Sequence, residues 1–128
     1  MKKEIIATQK APAAVGPYSQ AVKAAPFLFV SGQLPTDPAT GKFAGQGIAE
    51  QTRQCLENLK AVLEAAGSGL AQVVKATVFI KDMNEFEAMN QVFRQYFAQN
   101  PPARACVEVA RLPRDARVEI EVIAICEA

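Results

Sequence analysis

The chain contains no histidine. That one absence excludes a Ser-His-Asp triad, a Cys-His dyad and any His-ligated metal built from its own residues. It has no excess of either charge: 14 Lys and Arg stand against 13 Asp and Glu, a formal net charge of +1. Such balance argues against a protein that holds nucleic acid mainly by neutralising phosphates. Cysteine is scarce. Cys55, Cys106 and Cys126 are odd in number, far apart, and form no Cys-x-x-Cys pair. Neither a disulfide framework nor a zinc site is expected, and Cys55 and Cys126 read as reduced, buried thiols. No run approaches about 18 consecutive apolar residues, so no membrane-spanning helix is expected. Met1-Lys2-Lys3 before a short apolar stretch makes no signal peptide, which leaves the cytoplasm as the expected location. Gly41, Gly45 and Gly47 fit neither the P-loop nor the dinucleotide-binding pattern.

What is present is a globular composition. Of 128 residues, 50% are hydrophobic and 21% charged. That length and mixture predict one domain over residues 1–128 with a core that needs no staples.

Lys3–Thr8 reads as a short strand. Ala11–Ser19, with two prolines and a glycine, reads as loop. Phe27–Val30 is an apolar run ended by Ser31-Gly32, a buried strand. Pro35–Lys42 is dense in turn residues. From Ile48 to Ala66, the positions Ile48, Thr52, Cys55, Leu56, Leu59, Val62, Leu63 and Ala66 follow the spacing of one helix face. Gly67 sits where a left-handed cap belongs. Val73–Ile80 is rich in β-branched residues and predicts a strand. Asp82 and Glu85 resemble a capping box, opening a second helix that runs to about Ala98. Its stripe of Phe86, Met89, Val92 or Phe93, Tyr96 and Phe97 reads as core. Asn100-Pro101-Pro102 stops it.

Two strands, Ala103–Ala110 and Ala116–Cys126, close the chain, joined by a turn at Leu112–Asp115. In the last strand Val118, Ile120, Val122 and Ala124 alternate with Glu119 and Glu121. Two amphipathic helices on one face of a sheet make a two-layer α+β fold. The second face is expected to carry Arg104, Cys106, Glu108, Arg117, Glu119 and Glu121 with Ile123 and Ile125. That mixture suits a face covered by another subunit.

Without histidine, the candidates for chemistry are Arg104, Cys106, Glu119, Tyr18, Ser31 and Lys75. Taken singly, most have plain readings. Arg104 reads as a surface or paired arginine, and in a pocket as a planar fork for a carboxylate. Glu119 reads as a solvated strand residue, and in a pocket as a carboxylate that orients or deprotonates water. Cys106 has no base nearby in sequence and reads as an inert thiol. Tyr18, after Gly16-Pro17, is either a staple for its loop or the edge of a pocket.

In combination these residues say more. The run from Pro102 to Glu121, with Arg104, Cys106, Leu112-Pro113 and Val118-Glu119-Ile120-Glu121, closely resembles the signature of the RidA family, also called YjgF or L-PSP. Ala11–Gln20, Val30–Pro35 and Val74–Met83 resemble it too, in the same order. The resemblance implies a chorismate-mutase-like α+β fold: a mixed six-stranded sheet with two helices on one face. It implies a homotrimer with its sheets around a central barrel and a site in each cleft between subunits. It implies hydrolysis of reactive 2-imino acids, such as 2-iminobutanoate and 2-iminopropanoate, to 2-oxo acids and ammonia, with no cofactor. Carried over by position, Arg104 resembles the carboxylate clamp and Glu119 the glutamate that orients water. Cys106 resembles a site cysteine acting mainly through its main chain. Tyr18, Ser31, Gly32 and Asn90 match the remaining pocket positions. The link Ala98–Pro102 is shorter than in some members, which puts the pocket rim and the substrate size in question.

Two other readings come with the resemblance. One is an endoribonuclease or translation inhibitor, which the charge balance and the missing histidine disfavour. The other is a small-molecule-binding or chaperone-like regulator without turnover. If the final two strands form a hairpin centred near Pro113 and Arg114, Glu119 lies across from Glu108, roughly 13 Å along the strand from Arg104. The two are then too far apart to serve one small substrate within one subunit. A site shared between subunits, or a substrate bridged through water, resolves this, and the site is expected to lie between subunits; no membrane partner is expected, and nucleic acid is disfavoured as one.

Overall fold

A computed structural model describes residues 2–127. The helical stripe of the sequence is the face that the first helix, α1 (Ile48–Ala65), buries, from Ile48 through Leu63. Glu50 in its first turn accepts the Gly47 N–H at 3.2 Å. Past its end Gly67 takes φ +80°, and the Ser68 N–H returns to the Leu63 carbonyl at 2.9 Å. This is a left-handed cap that a side chain would strain. The second helix, α2 (Phe86–Tyr96), is shorter than its pattern predicts. Asp82 caps a separate 3-10 turn, Met83–Glu85, by accepting the Asn84 N–H at 2.9 Å.

The strands are β1 (Glu4–Ile6), β2 (Ala21–Ala24), β3 (Phe27–Gln33), β4 (Val73–Ile80), β5 (Ala103–Glu108) and β6 (Val118–Ile125). They form one six-stranded sheet in the order β1-β2-β3-β6-β4-β5. Among the described residues only β4 and β5 pair in parallel, and α2 is their crossover. The sheet is therefore mixed, and the fold is α+β with both helices on one face. Leu28, Val30, Val78, Ile80, Val118, Ile120 and Val122 pack from the sheet onto Leu56, Leu59, Leu63, Met89 and Phe93. The aromatic stripe of α2 is core at Phe93 and Phe97, while Phe86 and Tyr96 are partly covered. Cys55 and Cys126 are buried, as expected of free thiols.

Three features go beyond or against the sequence reading. First, β2, over which that reading assigns no element, carries no pattern that announces a strand, yet β1 and β3 pair with it on both sides. Second, β5 and β6 do not form a hairpin. The chain after β5 passes a 3-10 turn at Pro113–Asp115 and returns between β3 and β4. Glu119 consequently lies opposite Phe79 and not Glu108. Third, Arg104, Cys106 and Glu108 do not share a face with Glu119 and Glu121. They pair with Ala76, Val78 and Ile80, whose side chains point to the helices. A strand's alternation determines which residues go together. It does not determine which side they take, because a shift of one residue in register exchanges the faces.

The other face of the sheet is open. It presents Phe27, Phe29, Val107 and Ile125 at 39–45% exposure, beside Glu119 and Glu121.

Candidate active site

Within the chain, the residues singled out from the sequence fall into two groups. The first lines an open cleft of about 860 Å³ and includes Tyr18, Ser31, Gly32 and Glu119. A bulge builds it. Val30 pairs with Val122 and Gln33 with Ile120, so β3 spends three steps where β6 spends two. The extra residue falls at Ser31-Gly32 and turns the backbone toward the cleft. Ser31 is tied down at both ends: its N–H donates to the Gln20 carbonyl at 2.9 Å and its hydroxyl to the Ser19 carbonyl at 2.6 Å. Gly32 is needed for space. A Cβ built there would overlap the Glu119 carboxylate, with the carboxyl carbon at 2.9 Å.

Glu119 is half-buried, and burial pushes its carboxyl above the usual glutamate range, with the charge of Glu121 adding to the rise. Such a group holds and releases a proton nearer neutral pH than a free glutamate. Tyr18 is 52% exposed at the cleft wall, and its hydroxyl accepts the Val15 N–H at 3.3 Å. Arg114 forms part of the rim. Its guanidinium lies 4.9 Å from the Phe43 ring and donates to the Gly41 carbonyl at 3.2 Å.

The second group lies on the helix side of the sheet. Phe86, Asn90 and Phe93 stand at i, i+4 and i+7 on α2 and face one guanidinium. The Arg104 carbon sits 4.8 Å from the Phe93 ring centre and 5.5 Å from that of Phe86. One terminal nitrogen donates to Asn90 Oδ1 at 2.6 Å. The aromatic faces and the amide hold the fork in place and leave its other donors for an anion. Cys106 follows on the same side of β5 and is partly buried. Burial raises its thiol, with Arg104 pulling the other way, so it is no ready thiolate.

Neither Arg104, Asn90 nor Cys106 lines the cleft of Glu119. The two groups stand on opposite faces, separated by β4. Lys75 belongs to neither, lying mid-strand opposite Ile123 and Ala103. The sequence reading missed the buried amides that shape the cleft. Gln20 holds the N-terminal loop by accepting the Thr8 N–H at 2.7 Å and donating to the Pro12 carbonyl at 2.7 Å. It missed Phe86 and Phe93 as the bed of Arg104. Their spacing around Asn90 was the available signal. Among the described residues no cluster of His, Cys, Asp and Glu could hold a metal ion, and no helix is long and apolar enough to cross a membrane.

A sequence model of the family described as Endoribonuclease L-PSP matches residues 8–126. A RutC family protein of Pyrococcus horikoshii is 56% identical over 98% of this chain and 99% of its own length. A 2-iminobutanoate/2-iminopropanoate deaminase of Bos taurus is 50% identical over 96% of this chain and 90% of its own. The crystal structure of E. coli TdcF with bound serine superposes with a TM-score of 0.92 at 46% identity, covering 95% of this chain and 98% of that one.

Proposed function

Because the chain belongs to the Endoribonuclease L-PSP family, we propose that it hydrolyses small 2-imino acids to 2-oxo acids and ammonia in the cytoplasm, as a homotrimer with sites between subunits. The observation that carries the reading is Arg104, held over two aromatic rings by Asn90 with donors to spare. A planar fork of this kind takes a carboxylate in two parallel hydrogen bonds. The bovine relative named a deaminase supports the same substrate class, and so does the amino acid bound to TdcF.

Arg104 and Glu119 cannot address one small molecule from opposite faces of a single sheet. In the proposed trimer, the Arg104 side of one subunit closes the Glu119 cleft of the next. The exposed Phe27, Phe29 and Ile125 are the apolar surface such an assembly would bury.

In the proposed reaction Arg104 binds the substrate carboxylate. Glu119, as carboxylate, takes a proton from a water as its oxygen bonds to the imine carbon, and the imine nitrogen takes up a proton. Glu119, having returned the water's proton to the imine nitrogen, then takes the hydroxyl proton of the carbinolamine and passes it to the amine, so that the C–N bond breaks, ammonia leaves and the carbonyl forms. Main-chain groups beside Gly32 and Cys106 stabilise developing charge. An imine is already an activated electrophile. The protein need lower the barrier by only a few kcal/mol, at about 1.4 per tenfold, which orientation can supply.

The test is ammonia or 2-oxobutanoate release from 2-iminobutanoate generated in situ, with Arg104→Ala beside the wild type. Acceleration by the wild type, reduced at least a hundredfold in a variant of unchanged thermal stability, is expected. No acceleration by the wild type ends the deaminase reading. The family's description favours one alternative, RNA cleavage. The cleft bears Glu119 and Glu121 against Arg114 and has no basic groove for a phosphate backbone. Salt-dependent RNA cleavage lost in Arg104→Ala would restore it.

A further inference from the structure

Arg114 repeats the construction of Arg104. The Arg104 guanidinium lies over two aromatic rings and is pinned by one amide oxygen. The Arg114 guanidinium lies 4.9 Å from the Phe43 ring centre and is pinned by one carbonyl oxygen, that of Gly41, at 3.2 Å. Neither acceptor is charged. The acid next to Arg114 in the chain, Asp115, is held by Arg111 at 2.8 Å. Among the described residues no carboxylate lies within ion-pair distance of Arg114. It keeps an unpaired charge and donors to spare. Its position gives that charge a use. Arg114 is the one cation in a cleft lining that also carries Glu119 and Glu121. Two carboxylates repel an entering anion, and a 2-imino acid carries a carboxylate of its own. The backbone is bent to put the cation there. Arg114 takes φ +57° and Asp115 φ +59°, a left-handed pair that residues with a side chain adopt only under strain. Such strain persists where the surroundings hold it, and here the Phe43 ring and the Gly41 carbonyl hold it.

We infer that Arg114 recruits the anionic substrate: its unpaired charge offsets the two glutamates and draws the carboxylate into the cleft, where the Arg104 of the neighbouring subunit in the proposed trimer grips it. This rests on the proposed deaminase reading. Arg104 fixes the carboxylate in the reacting geometry. Arg114 acts on the approach, so its effect falls on capture and not on the chemical step. A charge on a cleft wall raises the local concentration of an oppositely charged ligand, and salt screens that attraction. A side chain that merely stapled the Leu112–Asp115 turn to the Gly41 loop would act through its planar fork and the Phe43 ring, and salt would not move its effect. Lysine keeps the charge and loses the fork, which separates the two roles.

The experiment follows hydrolysis of 2-iminobutanoate formed in situ at about 0.01 M and about 0.15 M salt, between which the screening length falls from about 30 Å to about 8 Å. At the lower salt Arg114→Gln is expected to reduce kcat/KM about tenfold, through KM, with kcat kept within about twofold. At the higher salt the deficit is expected to shrink to about threefold or less. Arg114→Lys is expected to stay within about threefold of the wild type at both salts. A deficit absent in Arg114→Gln, equal at both salts or confined to kcat overturns the inference, and so does an Arg114→Lys as impaired as Arg114→Gln. The wild type gives a reading that needs no variant: a kcat/KM that does not fall as salt rises overturns the inference as well. If the wild type accelerates no imine hydrolysis, the deaminase reading has failed by itself. Calorimetric affinity for 2-oxobutanoate then tests the recruitment, with the same salt-sensitive weakening expected in Arg114→Gln and its absence refuting the role.

Discussion

Glu119 is raised for two separable reasons, burial and the neighbouring charge of Glu121. In the proposed reaction only its carboxylate form can take a proton from water. Activity is therefore expected to be lost as pH falls through a value above the ordinary glutamate position of about 4.3. Glu121→Gln removes the like charge and leaves the burial. The acid limb of kcat/KM should move to lower pH without reaching the free-glutamate position. A limb that stays in place would mean that another group titrates there. The dependence on Gly32 is of the same scale. The carboxylate occupies the space that any other residue's Cβ would need. Spacing along the chain did not announce that close approach, since Gly32 and Glu119 lie 87 positions apart.

At the scale of elements, the helices were legible and the sheet only partly so. The stripe of α1 states its buried face residue by residue, because a helix makes its own hydrogen bonds and leaves only one face to choose. Strand β5 pairs with β4, a whole helix earlier in the chain, so its orientation was not visible; β2 pairs with β3 directly after it, across Ala25-Pro26, but Ala21–Ala24 carries no pattern that announces a strand. Buried amides join helix to loop. The Asn58 amide of α1 donates to the Leu34 carbonyl at 3.0 Å and the Thr36 carbonyl at 2.9 Å. It fixes the chain that leaves β3 just after Gly32. Asn58→Leu leaves two carbonyls without their donor, at a cost of about 2 kcal/mol. Thermal unfolding should show a melting point lower by several degrees. A variant as stable as the wild type would show that the loop is held by other contacts.

For the whole molecule, the open sheet face and the separation of Arg104 from Glu119 point the same way. Phe29, 45% exposed at the centre of that face, is where a charge should do most harm to the proposed trimer. Phe29→Asp is expected to lower the solution mass from three chains to one, keep the circular dichroism spectrum, and abolish imine hydrolysis, with sedimentation and ammonia release as the readouts. A folded monomer with full activity would refute the shared site. The sequence by itself determined which side chains are on hand for chemistry: no histidine, one arginine after Pro-Pro-Ala, two glutamates in an alternating strand, and helices whose buried faces are written at local spacing. Those properties depend on side chains and on neighbours three or four residues away. The tertiary structure alone decided the strand order, the insertion of β6 between β3 and β4, and the face on which Arg104 lies. Those depend on pairings between distant strands, where a one-residue shift in register reverses the faces and leaves the local pattern unchanged.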